Sequence, residues 1–272
     1  ADNLLIATYM SIKCEVFFAP AMDLEMYKSS ATKKNIETLV KNGDILIKPG
    51  IGSLASGMSG EGRVEEPEII FDILKTYIKK RLIFNDKTFL ITAGPTFEMI
   101  DPVRFIGNFS SGKMGYELAK QASRFGAKVH LVSGPSSEEV NDENIILKKI
   151  VSADEMFDEC SKVFNDTDIF IMSAAVSDYK PNKINHNKIK KDKSEKISLE
   201  LKKNKDILKV LASKKTKSQK VIGFSLETEN ELKNATKKLK NKNLDAVILN
   251  SLNDGGAGFN LPTNKISFIT SS

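Results

Sequence analysis

Only two cysteines, Cys14 and Cys160, and two histidines, His130 and His186, occur in 272 residues. The cysteines are isolated, with no C-x-x-C and no metal-ligand spacing. Neither a disulfide framework nor a zinc site is expected, and a reducing, cytoplasmic setting follows. Neither histidine has a serine and a carboxylate placed as triad partners, which argues against Ser-His-Asp chemistry. No stretch approaches eighteen consecutive apolar residues, so no membrane span is expected. The chain opens on Ala1 rather than on a charged and apolar leader, and a start upstream of it is expected. Aromatics are scarce where charge is dense: from Tyr179 to Lys220, fifteen lysines face Asp192, Glu195, Glu200 and Asp206, and Tyr179 is the only aromatic. Nucleic acid would call for interleaved stacking aromatics, so the basic belt suits a small polyanion better. A solvated lysine-rich face is the plain alternative. Since the whole chain carries +6, the remainder is net acidic.

The length suggests about two domains. Residues 1–80 read as a partial domain: a helical start, a strand near Glu15 to Ala19, a helix from Thr32 to Val40, a strand from Asp44 to Ile47 and a helix from Pro67 to Lys79. Two strands cannot close an α/β sheet, so further sequence is expected ahead of them. From Leu82 onward apolar runs alternate with helical segments. Strands are expected at Thr88 to Ala93, Lys128 to Val132, Ile145 to Val151, Asp168 to Met172, Val221 to Phe224 and Asp245 to Leu249. Ser152-x-x-Glu155 has the form of a capping box and opens a helix to Phe164, with Cys160 on its apolar face. A polar helix runs from about Asn230 to Asn241. This alternation implies an α/β fold, a doubly wound, mostly parallel, Rossmann-like sheet whose ligands lie beyond the carboxyl ends of the strands.

The most informative stretch is Asp101-Pro-Val-Arg104-Phe-Ile-Gly107-Asn108-Phe-Ser-Ser111-Gly112-Lys113-Met-Gly115, leading into the amphipathic Tyr116 to Phe125. Small residues opening a helix let backbone N–H groups approach an anion. Gly107-x4-Gly112-Lys113 matches most of a P-loop, but Met114 stands where magnesium needs Ser or Thr, and no strand is expected to end at Gly107. Gly112-x-x-Gly115 is only a fragment of a dinucleotide fingerprint. The other strand ends carry Gly94-Pro95, Ser173-Ala-Ala-Val-Ser-Asp178-Tyr, Glu227-Thr228 and Asn250. Asp178 suits a ribose hydroxyl, a metal ion or a helix cap. Lys188-Ile-Lys190-Lys191 could meet a triphosphate, and Lys238 and Lys242, four apart on a helix, share one face.

Ile91-Thr-Ala-Gly-Pro-Thr96, the Asp101 to Gly115 stretch, Ala174-Ala-Val-Ser-Asp178-Tyr, Lys188 to Lys191 and Gly258-Phe-Asn260 together resemble bacterial phosphopantothenoylcysteine synthetase over nearly all of Leu82 to Thr270. Ala1-Asp-Asn-Leu-Leu5, Pro20-Ala-Met-Asp23-Leu-Glu-Met26 and Gly52-Ser-Leu-Ala-Ser56-Gly-x-x-Gly60-x-Gly-Arg63 resemble the C-terminal half of its usual fusion partner, a flavin-dependent, flavodoxin-like decarboxylase. The resemblance implies a division into residues 1–80, a partial flavodoxin-like decarboxylase domain, and 81–272, the synthetase domain, within a bifunctional coenzyme A biosynthesis protein lacking its N-terminal part.

The implied reaction ligates 4′-phosphopantothenate to cysteine with CTP and Mg²⁺ through an acyl-cytidylate, releasing pyrophosphate and CMP. By the same matching, Asn108, Arg104 and Lys188 take the catalytic positions. Gly94, Ser111, Gly112, Lys113 and Gly115 would surround the phosphates. Met172, Ser173, Ala174 and Phe224 would border the cytosine. Asp178 would hold the ribose or a cation, and Lys238 and Lys242 would complete the nucleotide site. Lys203, Asn204, Lys205 and Asp206 occupy a nucleotide-contacting turn, with Lys205 where proline is usual. In the decarboxylase part, Asp23 stands for the usual Asn and Ser56 for the usual Cys. The expected catalytic histidine is absent, so no decarboxylation is expected of this chain, although the intact protein would carry FMN there. A homodimer of the synthetase domain is implied, and a higher oligomer when the flavodoxin-like domain is intact. No nucleic-acid or membrane partner is expected. A P-loop-like NTPase and a non-catalytic nucleotide-binding module remain the alternatives.

Overall fold

The computed structural model describes residues 3–190, 198–227, 229–251 and 265–270. Lys191, Asp192, Glu195, Thr228 and the Gly258 to Asn260 motif lie outside the described residues. The chain divides into two compact units, Ala1–Arg81 and Leu82–Ser272.

The first unit comprises α1 (Leu4–Ser11), β1 (Phe17–Phe18), α2 (Leu24–Lys28), α3 (Ser30–Lys41), β2 (Ile45–Leu46), β3 (Gly50–Ser53), β4 (Ser59–Arg63) and α4 (Pro67–Arg81). β1 and β2 form a parallel pair, and β3 and β4 form an antiparallel hairpin that periodicity did not reveal. Its glycine content explains the omission, since Gly50-Ile-Gly and Ser59-Gly-Glu-Gly have no apolar alternation to read. Glycine is needed at Gly62, with φ at 148° and the Met22 carbonyl oxygen 2.3 Å from where a Cβ would stand. Met22 N–H donates back to the Gly62 carbonyl at 2.8 Å, which seats the Pro20 to Met26 segment against β4.

The second unit comprises β5 (Thr88–Ala93), β6 (Phe97–Met99), β7 (Phe105–Gly107), α5 (Lys113–Arg124), β8 (Lys128–Ser133), β9 (Ile145–Lys149), α6 (Ala153–Val163), a 3-10 turn (Phe164–Asp166), β10 (Ile169–Met172), β11 (Tyr179–Pro181), β12 (Leu201–Lys203), α7 (Ile207–Ser213), β13 (Lys220–Glu227), α8 (Glu231–Asn241), β14 (Ala246–Ser251) and β15 (Ile266–Thr270). Its sheet runs β15-β14-β13-β10-β5-β8-β9, parallel throughout except for β15. The six parallel strands follow the doubly wound order, in which chain direction across the sheet reverses between β5 and β10. The Rossmann-like expectation is therefore met, while β15 and α7 were not foreseen. One local expectation is corrected: a strand does end at Gly107. It is β7, paired antiparallel with β6 outside the main sheet, and not the sheet strand that a P-loop would follow.

Period-two alternation along β5 sends Phe89, Ile91 and Ala93 into one layer with Tyr116, Ala119 and Ala122 of α5, while Leu90 enters the other with α6, α7 and α8. Ser152 caps α6 by accepting from Glu155 N–H at 3.3 Å. The return bond of the box is displaced by one residue, since the Glu155 carboxylate accepts from Val151 N–H at 2.8 Å. Cys160, fully buried in the second layer, has its thiol pushed up by burial and then by the nearby Glu159 charge, whereas Cys14 is exposed. Among the described residues no helix is long and apolar enough to cross a membrane.

Candidate functional site

Beyond the ends of β5 and β10 the two chains keep running side by side. Ala175 N–H donates to the Gly94 carbonyl at 2.9 Å, Thr96 N–H donates to the Ala175 carbonyl at 3.2 Å, and Ser177 N–H donates to Thr96 Oγ1 at 3.0 Å. These loops flank the first turn of α5. A Cβ on Gly115 would come within 2.6 Å of Ala93 and 2.7 Å of Ser173 Oγ, so only glycine lets the helix start settle onto both strand ends. Gly112, at φ 84°, turns the chain into the helix without a side-chain cap of its own. Its N–H and that of Lys113 rest on Ser110 Oγ and Ser111 Oγ, each at 3.3 Å. Gly94, Ser111, Gly112, Lys113, Gly115 and Ser173 thus gather at the opening of α5, where the helix dipole places partial positive charge.

Beside this cluster lies a cavity of about 380 Å³. Met172, Ala174 and Asp178 from the end of β10, the Lys203-Asn204-Lys205-Asp206 turn, Phe224 of β13, and Lys238 and Lys242 from the end of α8 all line it. Val176, Ser177 and Tyr179 of the strand-end stretch, with Ile207 and Leu208, which were not anticipated, complete the wall. The last two come from α7, whose sequence is too short to show helical periodicity.

The polar groups of the cavity are held firmly. Lys238 Nζ donates to the Phe224 carbonyl at 2.6 Å. Burial, and then Lys242, push its pKa down, against the carboxylates of Glu227, Asp206 and Asp178. Lys242 pairs with Asp206 at 2.7 Å, and Asp206 also caps α7 by accepting from Lys209 N–H at 3.0 Å. Burial raises the Asp206 carboxyl, but the Lys242 ammonium and the Lys209 N–H outweigh it, and the net shift is downward. Asn204 donates to the Ser177 carbonyl at 2.8 Å, while its Oδ1 is buried with no hydrogen-bond partner among the described residues. A buried acceptor left in this condition costs about 1–3 kcal/mol, which a ligand donor would recover. Lys205 sits 4.7 Å above the Phe157 ring. Asp178 leads into β11, so its helix-cap reading is not realised. Among the described residues no three His, Cys, Asp or Glu side chains gather as a metal site.

The three residues expected in catalytic positions lie outside the cavity lining. Asn108 Nδ2 donates to the Ala175 and Val176 carbonyls at 3.3 and 3.2 Å, tying the α5 loop to the β10 loop rather than standing free. Arg104 is engaged by Asp101 and by the Ile189 carbonyl. Asp101, fully buried, was read only as part of a motif, yet Arg104, and then the N–H groups of Ile189, Val103 and Arg104, hold its carboxyl well below the usual range against the cost of burial. The Asp-Pro-x-Arg spacing is the signal for such a turn. Lys188 is exposed next to Ile189. In the first unit Asp23 caps α2, accepting from Glu25 N–H at 3.4 Å, and Ser56 lies in the exposed turn between β3 and β4.

Residues 84–272 match the family described as DNA/pantothenate metabolism flavoprotein C-terminal domain, and residues 1–79 match the family Flavoprotein. Over 269 residues the chain is 41% identical to the coenzyme A biosynthesis bifunctional protein CoaBC of Bacillus subtilis (strain 168), covering 98% of this chain and 66% of that one. The chain belongs to the CoaBC family. A CoaBC C-terminal domain of known structure superposes with a TM-score of 0.58 at 38% identity, covering 69% of this chain and 83% of that one. A further relative, 44% identical over 276 residues and covering 100% of this chain and 77% of its own length, is named cysteine/cysteine sulfinic acid decarboxylase, from an unknown prokaryotic organism. The chain therefore spans about two thirds of the length of the CoaBC relatives it matches.

Proposed function

We propose that the Leu82–Ser272 unit ligates 4′-phosphopantothenate to cysteine, using CTP through an acyl-cytidylate and releasing pyrophosphate and CMP. The observation that carries this reading is the cavity itself. It lies beyond the ends of β10 and β13, has a fixed cation in Lys238 and, among the described residues, an unpaired acceptor in Asn204 Oδ1, and adjoins the glycine-rich start of α5. A nucleoside fits such a cavity: ring and ribose against Met172, Ala174 and Phe224, an amino or hydroxyl donor on Asn204, and phosphates toward the α5 N-terminus. Magnesium would arrive as the counter-ion of the triphosphate, with Asp178 a lining carboxylate that could meet it. Lys188 would meet charge growing on the phosphates, and Asn108 would act where the carboxylate and α-phosphate combine. Product analysis tests the proposal. CMP and pyrophosphate should form only when phosphopantothenate and cysteine are both present. CDP and phosphate formed without them would favour an NTPase, and nucleotide binding without turnover a passive binder. Sedimentation beside the assay would test the homodimer, which full activity in a monomer would refute.

A second reading concerns the first unit. The Flavoprotein match, and the contact between the Pro20 to Met26 and Gly52 to Arg63 segments through Met22 and Gly62, support an FMN-binding decarboxylase domain in the intact protein. FMN would supply the redox chemistry when bound. Asp23 and Ser56 depart from the phosphopantothenoylcysteine decarboxylase pattern, and the 44% identical relative is named for cysteine and its sulfinic acid. Anaerobic carbon dioxide release from each of the three substrates by the intact protein would rank them; this chain alone should release none.

A further inference from the structure

Two segments far apart in sequence, 100–108 and 185–190, carry Asn108 and Lys188 and meet at one buried carboxylate. Asp101 Oδ1 accepts from Val103 N–H at 2.9 Å and Arg104 N–H at 3.0 Å. Its Oδ2 accepts from Arg104 Nε at 3.0 Å, from Arg104 Nη2, and from Ile189 N–H at 3.1 Å. Arg104 Nη2 also donates to the Ile189 carbonyl at 3.0 Å, so both main-chain polar groups of Ile189 are held. A second tie, Asn185 N–H to the Ile100 carbonyl at 3.0 Å, fixes the other end of the same strap. The Asp101 side chain is 0% exposed, while that of Arg104 is 42% exposed.

Every group that touches Asp101 through its side chain is a donor. An ionised carboxylate accepts only, with about four lone-pair sites, and here it receives five bonds. An amide of the same size would turn an NH₂ against another donor, so shape alone cannot replace the charge. Lysine in place of Arg104 could keep the charge but lacks the planar fork that reaches Asp101 and the Ile189 carbonyl together.

We propose that Asp101 is a positioning residue for ligation: through Arg104 and the main chain of Ile189 it sets the flanking Lys188 and Lys190 in place. The proposal rests on the ligase reading above and adds to it that Arg104 serves as a bridge within the protein. Its charge is already matched by Asp101, leaving Lys188 as the cation offered to the substrate.

Two measurements on the whole chain test this. The first needs no activity: amide hydrogen exchange across 185–190 should accelerate at least ~10-fold in Asp101→Asn, because the Ile189 N–H loses its buried acceptor, while peptides from β5 and β8 keep wild-type protection. The same result is expected for Arg104→Lys, which serves if Asp101→Asn does not fold. Unchanged exchange at 185–190 overturns the clamp. The second is kinetic: Asp101→Asn and Arg104→Lys should each lower kcat about 10²-fold with KM for CTP within about threefold, the scale expected when a reacting group is displaced by an ångström. In a Lys188→Ala background the same substitutions should cost less than about threefold more, because their effect runs through Lys188. Full activity in Arg104→Lys, or costs that simply multiply with Lys188→Ala, would overturn the positioning role. Accelerated exchange in a protein whose wild type makes no ligation product would leave the clamp standing and reject its place in ligation.

Discussion

The Ala1–Arg81 unit has four helices, one of fifteen residues, yet none of them buries a residue, and Ile47 and Pro49 are its buried apolar side chains among the described residues. The Leu82–Ser272 unit has helices of much the same length, and those packed on its sheet each bury an apolar row against continuous parallel strands. Helix length and propensity are similar in the two, so what separates them is the sheet. Where strands run for four to eight residues, each helix finds a surface to cover. Where they shrink to two residues, as in β1 and β2, the apolar sides of α1 and α4 remain open, with Leu4 84% and Phe71 63% exposed. Secondary structure follows from local sequence; its stability follows from burial.

The largest test of this contrast is a matched pair of truncations. Phe170→Ala, in the sheet core, should lower unfolding free energy by ~3–5 kcal/mol. Phe71→Ala in α4 should change it by less than ~0.5 kcal/mol. Urea titration followed by circular dichroism reads both, and equal effects would erase the distinction between the units. Next, Asn108→Ala should lower ligation by ~10²–10³ while CTP affinity stays within a few-fold, the pattern of an interaction strengthened in the transition state. Calorimetric titration beside the ligation assay separates the two quantities. If CTP binding fell in step with turnover, Asn108 would belong to the nucleotide site, through its hold on the Ala175 and Val176 carbonyls.

A smaller effect is expected in acid. Asp101, Asp168 and Asp245 all belong to the larger unit. Arg104 chiefly lowers the first and Thr88 N–H the second. For Asp245, burial is the strongest influence and acts upward, but Lys215, Val221 N–H and Lys220 together outweigh it. A carboxyl held low in the folded state stabilises fully above its ordinary value near 3.8 and loses that contribution as pH falls through the folded value. Melting of the larger unit should therefore decline most steeply below about pH 4, and Asp101→Asn should flatten that decline; His130, whose ring is held low by burial and then by Lys128, adds a shallower loss as pH falls through 6.5. The smallest change should come from Lys205→Pro, which restores the residue usual in the resembled family and removes the contact with Phe157. An exposed cation–π contact contributes about 0.5–1 kcal/mol, so CTP affinity should move by less than about fivefold in an equilibrium titration.

Much of the larger unit was legible in the sequence because its strands are long and apolar. Thr88 to Ala93 was read with its true ends, and Ser152 was read as a cap. What stayed hidden was short or decided at a distance. β6, β7, β11 and β12 have three residues each, too few for a period to register. The basic side chains at Lys238 and Lys242 could be placed on one face by spacing, but nothing local says that one reaches a strand carbonyl and the other a helix cap. Arg104 is the instructive case. Its charge suggested a substrate partner, whereas a buried aspartate three residues earlier and a carbonyl eighty-five residues later use it first.

The unequal exposure of the two cysteines has a practical consequence. A thiol-reactive dye added to the native protein should modify Cys14 and leave Cys160 untouched, since the latter is enclosed among α6 and the sheet with its proton tightly held. Any second equivalent of dye taken up must then report an opening of the α6 layer. The wild-type chain therefore carries its own reporter: one label marks the smaller unit, and the rate of the second counts how often the larger one comes apart.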